Sequence, residues 1–506
     1  MHQRTMGIDL GVKSLNVAVV WEDDGQRVIE VVKFDLLLKE FERLERAAMA
    51  GAAEGTKLHV VMEKTYPAYQ YVSKYFLDRG HHVSYAKPDQ VKEGRKFLWR
   101  KVKTDERDAL VMARLPYLDP RQLSRAHVAK ALVRELGTLV RQRLSLVKQS
   151  TSLKNLLDRS INATWPGVTE VLDLDSNHGR ALVRQLVPHS AVELGEAGLL
   201  TFIREKGRVK RTHAQRLATQ LVSVAKRAVE LQSLFEDDNW IELEKTHAIE
   251  ILEQIEALEQ TLTSKEQQIE QAYVKADPNQ TFKTVPGVGD RTAPSFFSYF
   301  GEPQRFPTTR KAQGFVGFYP ATDSSGQKDR KATALSKEGP GPLRRDLYLA
   351  TDHFRRQDPQ GARMYYDQMV NKGKHHISAL CIVANRAFIP RLMTVARERR
   401  AYELRDLKGN PITKEQARQL VAQFRVPEEV RARLRNLKKA AQKQNRGSVS
   451  SPVTSGHEAP RSETAPRQDD STNDQLTMTK TELVMLVEQL LKSGGNLEGI
   501  TTESFK

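Results

Sequence analysis

Cysteine is nearly absent: Cys381 is the only one in 506 residues. No disulfide can form within the chain, and a zinc site built on several thiolates is excluded, so a reducing cytosol is the expected setting. Cys381 lies in the apolar run 377–387, where a small buried residue fits. Long apolar runs are missing too. No stretch approaches the ~18 residues of a membrane span, and Met1-His2-Gln3-Arg4-Thr5 lacks the apolar core of a signal peptide. The third shortage is negative charge. Against 80 Lys and Arg stand 63 Asp and Glu, a formal net charge of +17. The excess is spread along the chain as well as gathered in the tail. It favours a polyanionic partner, most simply nucleic acid, over a small-molecule substrate; a merely basic soluble protein is the competing reading. A chain of this length exceeds one hydrophobic core and is expected to form about three domains.

What is present begins with Met6-Gly7-Ile8-Asp9-Leu10-Gly11, a carboxylate inside an apolar run. Burying such a carboxylate is costly unless something pairs with it, although a strand-end Asp can simply accept backbone hydrogen bonds. From Thr5 to Asp35 the pattern predicts three strands, with Asp23-Asp24-Gly25-Gln26 as a hairpin turn. Helical spacing follows over 36–50, a strand over 58–62 ending at Glu63, a helix over 68–79 and a strand over 82–86. The order β-β-β-α-β-α-β describes an α/β domain with a mixed sheet, and ligands of such sheets gather beyond the carboxyl ends of strands, where Asp9 and Glu63 fall.

The stretch 92–103 interleaves basic residues with Phe97 and Trp99; Lys96, Trp99, Arg100, Lys101 and Lys103 suit a nucleic-acid backbone with stacked bases, or else form a solvated loop. Thr104 then caps a helix that Pro116 limits, with Asp105 and Asp108 one turn apart on one face. Such a pair complements the helix dipole or holds a divalent cation. A long helix is predicted over 129–162, weaker helices over 173–209, and strong helical character over 211–276. In the last, Ile241, Ala248, Ile255, Leu262 and Ile269 recur every seven residues, which argues for a coiled coil or a long antiparallel helix pair.

Asp277-Pro278-Asn279 ends this arm, and Pro286-Gly287-Val288-Gly289 opens a further domain. The Pro-Gly-x-Gly turn exposes backbone N–H groups that can grip a DNA phosphate, with Gly287, Gly289 and Arg291 as candidates; a tight turn before a helix has the same letters. The loop Asp323-Ser324-Ser325-Gly326-Gln327 is surrounded by Lys328, Arg330, Lys331 and Lys337, and Arg344-Arg345 follow on a helix over 343–351. Another helix spans 377–399 and a basic one 427–446. Residues 447–474, rich in Ser, Pro and Thr, are expected to be disordered, and 476–491 recovers an amphipathic pattern suited to docking. The expected domains are 1–120, 121–276, 277–402, 403–446, 447–475 and 476–506.

Asp9, Glu63, Asp105 and Asp108 come from separate segments of one α/β domain. Brought to a common edge they would repel unless cations neutralised them. Two Mg²⁺ ions ~4 Å apart are the natural solution, and such a pair activates a phosphodiester from both sides. These four residues, with Lys103-Thr104-Asp105-Glu106-Arg107-Asp108-Ala109, Pro286-Gly287-Val288-Gly289 and Ser325-Gly326, resemble the DEDD transposases of bacterial insertion sequences, the insertion-sequence-one-ten family with its Piv-like invertases. The resemblance covers about residues 5 to 400. It implies a RuvC-like (RNase H-like) N-terminal domain, a helical or coiled-coil arm and a mostly helical C-terminal transposase domain. It further implies a recombinase guided by a structured bridge RNA, acting on target and donor DNA as a dimer or tetramer in the bacterial nucleoid. By position Ser325 would be the nucleophile, with Ser324 and the more distant Ser336 as alternatives.

One departure stands beside Glu63, where Lys64-Thr65-Tyr66-Pro67 replaces the small polar residues usual in the family. Three other readings stay open: a RuvC-like junction nuclease using water, a sugar-kinase or actin-like ATPase, and a non-catalytic nucleic-acid scaffold. The ATPase reading lacks a second phosphate-binding glycine loop.

Overall fold

The computed structural model describes residues 4–11, 16–22, 26–64, 68–99, 102–118, 120–235, 239–319, 324–325, 328–329 and 335–447. The expectations for Arg100, Lys101, Arg330, Lys331 and the tail beyond 447 lie outside them. The chain divides into two compact units, Met1–Lys130 and Ala131–Lys506.

The first unit is built on strands β1 (Arg4–Asp9), β2 (Asn16–Glu22), β3 (Arg27–Phe34), β4 (His59–Glu63), β5 (His82–Ala86) and β6 (Ser124–Arg125). They form one mixed sheet in the order β3-β2-β1-β4-β5-β6. The first three are antiparallel, β4 runs parallel to β1, β5 parallel to β4, and β6 antiparallel to β5. Helices α1 (Leu38–Met49) and α2 (Tyr69–Asp78) cover one face, where Met6, Ile8, Val60 and Met62 pack with Phe41, Leu44, Val72 and Phe76. Helices α3 (Pro88–Trp99) and α4 (Asp105–Leu118) bring Val91, Val111, Met112 and Leu115 against Val61 on the other. Burial on both faces is why β2 and β4 read as continuous apolar runs rather than alternating ones.

Two elements of this unit escaped the sequence pattern. Only Val91 of α3 is fully buried, so the helix shows almost no apolar period. Strand β6 has two residues, too few for any period. Pro116 does not end its helix at 115: α4 continues to Leu118 with Pro116 buried in its last turn, where its missing N–H forfeits a single helical hydrogen bond.

The second unit opens with α5 (Ala131–Thr164), followed by α6 (Val168–Val171), α7 (Asn177–Gln185), α8 (Pro188–Lys206), α9 (Arg211–Gln232) and α10 (Asn239–Ala276). Helices α5 and α10 lie antiparallel: Arg143 pairs with Glu266 at 2.7 Å near one end, and Ser160 donates to Glu244 at 2.6 Å near the other. The helical stretch expected over 211–276 is thus two helices, and only α10 joins the pair. Its heptad positions serve two separate cores. Ala248, Ile251 and Ile255 are buried with Leu157, Ile161 and residues of α7 to α9. Ile269 and Ala272 are buried with Leu136 and Val140 in the core of the C-terminal helices. Leu258 and Leu262, between the two, are half-buried.

That second core is rich in rings, among them Phe282, Phe296, Phe297, Phe300, Phe354 and Phe388. They come from α11 (Thr292–Phe300), α12 (Thr309–Val316), α13 (Gly341–Phe354), α14 (Pro359–Tyr366), α15 (His376–Val383) and α16 (Ile389–Glu398), and from the turns between them. The strands β7 (Ser324–Ser325) and β8 (Lys328–Asp329) stand between α12 and α13; α17 (Lys414–Ala422) and α18 (Glu428–Gly447) follow. Among the described residues, the stretch His376–Glu398 is long and apolar enough to cross a membrane, contrary to the expectation of no such run; two thirds of its most apolar window (67%) is buried within the chain. Asp358 is the polar anchor of this region. Only 1% exposed, it caps α14 by accepting the Gly361 N–H at 2.7 Å and accepts the Tyr402 hydroxyl at 2.6 Å. Asp358→Ala removes the cap and leaves that hydroxyl, which also accepts from Arg391 Nε at 3.3 Å, without an acceptor for its proton. A loss of about 2–4 kcal/mol is expected, read as a lower midpoint in chemical denaturation.

Candidate active site

The carboxylate site is built by one strand lying on one helix. Thr5, Gly7 and Asp9 alternate along β1 and so share a face. At one end the Thr5 hydroxyl donates to the Ala113 carbonyl at 2.6 Å. In the middle, Gly7 lets strand and helix touch: a Cβ there would overlap the Ala109 carbonyl oxygen and fall 2.5 Å from the Ala113 nitrogen. At the other end Asp9 is brought to the first turn of α4, which carries Asp105 and Asp108. Glu63 arrives from the neighbouring strand. Pairing of Ile8 with Met62 in parallel register puts Asp9 and Glu63 side by side at the carboxyl ends of β1 and β4.

The electrostatics of the four groups reflect this crowding. Burial first, then the charges of Asp105 and Asp108, push the Asp9 carboxyl up to about 6; Lys103 and the Leu10 amide pull it down. Burial, Asp9 and Asp108 likewise raise the Glu63 carboxyl, against Lys103 and Arg95. Asp108 has a partner that no motif announced. Arg95 of α3 donates from one guanidinium nitrogen to both carboxylate oxygens, at 2.5 and 2.6 Å. Among the described residues no three Asp, Glu, His or Cys side chains converge closely enough to hold a metal ion. In kind the donors suit a hard divalent cation: all are carboxylate oxygens, and two carboxyls are raised by burial and then by repulsion that a cation would relieve.

The residues singled out for nucleic acid divide into several groups. Lys96 is exposed and pairs with Glu93, Trp99 is half-buried with the Arg107 guanidinium 5.2 Å from its ring centre, and Lys103 is exposed. Gly287 has a packing duty, with φ of +85° and a Cβ position that would overlap the Ala350 carbonyl and lie 2.7 Å from the Phe354 nitrogen. Gly289 faces open space, and the Arg291 side chain is exposed beside Glu266. Arg344 is turned inward: its guanidinium donates to the carbonyls of Val316 and Gly339, and burial lowers its pKa. It therefore ties together the two ends of the serine-bearing loop. Arg345 is exposed and pairs with Asp346.

Ser325 lies in β7, which forms a hairpin with β8 through the pairs Ser324–Asp329 and Ser325–Lys328. Ser336 is at the base of the loop, its N–H bonded to the Tyr319 carbonyl at 2.9 Å and its hydroxyl 3.5 Å from the Gly317 carbonyl. Lys337, of left-handed backbone, follows it. Arg95 is the residue that sequence reasoning missed. It sits 13 positions before its partner, on a helix without an apolar period, so no local signal could have found it.

Comparison with known proteins agrees with this layout. Residues 6–166 match the DEDD transposase family profile, described as a transposase, and residues 279–367 match the profile of the IS116/IS110/IS902 transposase family. The chain is 26% identical over 313 residues to the insertion element IS110 uncharacterized 43.6 kDa protein of Streptomyces coelicolor. That alignment covers 60% of this chain and 73% of the relative. The two matched segments and this relative indicate a transposase, an enzyme of DNA recombination. Both matched segments and the Streptomyces relative support an IS110-family transposase.

Proposed function

We propose that this transposase cuts and rejoins DNA through a covalent phosphoserine link at Ser325, with Asp9, Glu63, Asp105 and Asp108 holding two Mg²⁺ ions and a structured bridge RNA selecting target and donor DNA. The observation that supports the reading is that Asp9 and Glu63 end β1 and β4, and that Asp9, raised to about 6, feels the charges of Asp105 and Asp108 while Glu63 feels those of Asp9 and Asp108. The strand order, antiparallel for β1 to β3 and parallel for β4 and β5, is compatible with a RuvC-like domain. Bound ions would polarise the scissile phosphate and offset its charge.

The chain's own groups do the rest. The Ser325 oxygen forms a bond to phosphorus as the bond to one deoxyribose oxygen breaks, and that oxygen takes up a proton. A deoxyribose hydroxyl of the partner strand then displaces the serine, so the phosphoester bond is conserved without ATP. Lys96, Trp99, Lys103, Arg291 and Arg345 meet the nucleic-acid backbone; in the Pro286–Gly289 turn the Val288 and Gly289 N–H groups already donate to the Val285 carbonyl and the Thr292 hydroxyl, so the turn offers a phosphate at most the Gly287 N–H. The domain bounds 1–120, 121–276 and 277–402 describe the catalytic, arm and transposase parts of this reading, and its unit is a dimer or tetramer.

The test is a denaturing gel of the protein incubated with the DNA ends of its element and RNA transcribed from that element. A protein–DNA adduct is expected for the native chain and for Ser324→Ala, and none for Ser325→Ala. Cleavage without any adduct would replace this reading with a water-using nuclease.

A further inference from the structure

Arg95 reaches the carboxylate site through a second close approach of backbone to neighbour. A Cβ on Gly94 would come within 2.6 Å of Val111 Cγ1, so α3 lies tightly on α4 and Arg95 is brought level with Asp108. Both side chains are largely withdrawn from solvent, 17% and 11% exposed. A buried pair of this kind costs desolvation on both sides and is weak evidence of a stabilising role. Its place is more telling: it holds both oxygens of one carboxylate in a set of four. Among the described residues, Asp9, Glu63 and Asp105 form no salt bridge.

We propose that Arg95 is the built-in counter-cation of this site: it holds Asp108 while no divalent ion is bound, competes with the ion for that carboxylate, and once displaced meets the phosphate of a bound DNA strand. The inference rests on the reading that the quartet binds metal ions. A guanidinium suits both positions, because its planar fork of donors matches the oxygens of carboxylate and phosphate alike. The exchange also accounts for the absence of a converged metal cluster among the described residues, since Asp108 cannot turn to an ion while Arg95 holds both its oxygens. Arg95 is a positioning residue for Asp108 in one state and a phosphate contact in the other.

The experiment measures Mn²⁺ binding to the full-length protein by electron paramagnetic resonance, and DNA binding to a branched duplex in EDTA and in Ca²⁺. Arg95→Gln is expected to bind Mn²⁺ about tenfold more tightly than the native chain, the scale on which residues that orient a ligand alter metal affinity. The tightening should vanish when Asp108→Asn is added. The same variant should bind DNA as the native chain does in EDTA and several-fold more weakly in Ca²⁺. Should Arg95→Gln fail to fold, Arg95→Lys carries the test, with an intermediate Mn²⁺ affinity expected because the charge remains and the fork is lost. Mn²⁺ binding unchanged or weakened by the substitution, or DNA affinity in Ca²⁺ equal to that of the native chain, overturns the proposal. Asp9→Asn separates the two levels. If it leaves Mn²⁺ binding intact, the metal reading itself fails; if it abolishes binding while Arg95→Gln does not tighten it, only the role of Arg95 fails.

Discussion

Asp9→Asn should lower strand cleavage by at least about 10³-fold, because metal-ion stabilisation of a phosphoryl centre is worth several kcal/mol and each ~1.4 kcal/mol is a factor of ten. The amide keeps the size of the carboxylate and loses its charge, so the fold should survive. Stability against pH provides the control. Folding raises the Asp9 carboxyl to about 6, above the ~3.9 of an unfolded chain. Between those values the folded protein binds the proton more tightly than the unfolded one. The contribution of Asp9 is therefore most favourable below the unfolded value and is lost as pH rises through about 6. The stability of the metal-free native chain relative to Asp9→Asn should fall over this window and level off above it, with the variant no less stable at pH 7.5. An inactive variant that melts well below the native protein at that pH would assign the loss to folding rather than to metal binding.

Gly7→Ala is expected to have the largest effect on folding of any methyl addition in the first unit. Its Cβ would overlap the Ala109 carbonyl and crowd the Ala113 nitrogen, both backbone atoms of α4. A side chain could rotate away; a helix must move as a body. Overpacking usually costs about 1–3 kcal/mol, and a clash with rigid backbone on two sides should exceed about 4 kcal/mol. A small unit has little more than that in reserve. Hydrogen exchange should show β1 and α4 losing protection together, and any folded remainder should have Asp9 separated from Asp105 and Asp108. Gly51→Ala is the contrast. Its added methyl meets nothing within 4 Å, and only its φ of +67° carries a cost, about 1–2 kcal/mol. Equal effects of the two substitutions would refute the strand-on-helix account of the site.

Much of the first unit was legible because its signals are local. Asp9 and Glu63 stand at the ends of short apolar runs, and Thr104 precedes two carboxylates at helical spacing. Runs, turns and caps act over a few residues, so periodicity and residue type report them directly. Helix α3 was not legible, because a helix that buries one valine leaves no period to read. The heptad in α10 was visible, but not that its two ends belong to different cores with Leu258 and Leu262 half-buried between them.

By itself, then, the sequence determined the order of β1 to β5 with α1, α2 and α4, the carboxylates at their ends, and the resemblance to a transposase family. Only the tertiary structure decided that Gly7 is the contact on which Asp9 meets α4, that Arg95 holds Asp108, and that Arg344 faces inward to tie the base of the serine loop. The physical reason is the same in each case. Hydrophobic patterning says which face of an element is buried, whereas the partner a charge or a backbone atom meets depends on packing between segments far apart in the chain. That packing is set by the fit of surfaces, which leaves no mark at either position alone.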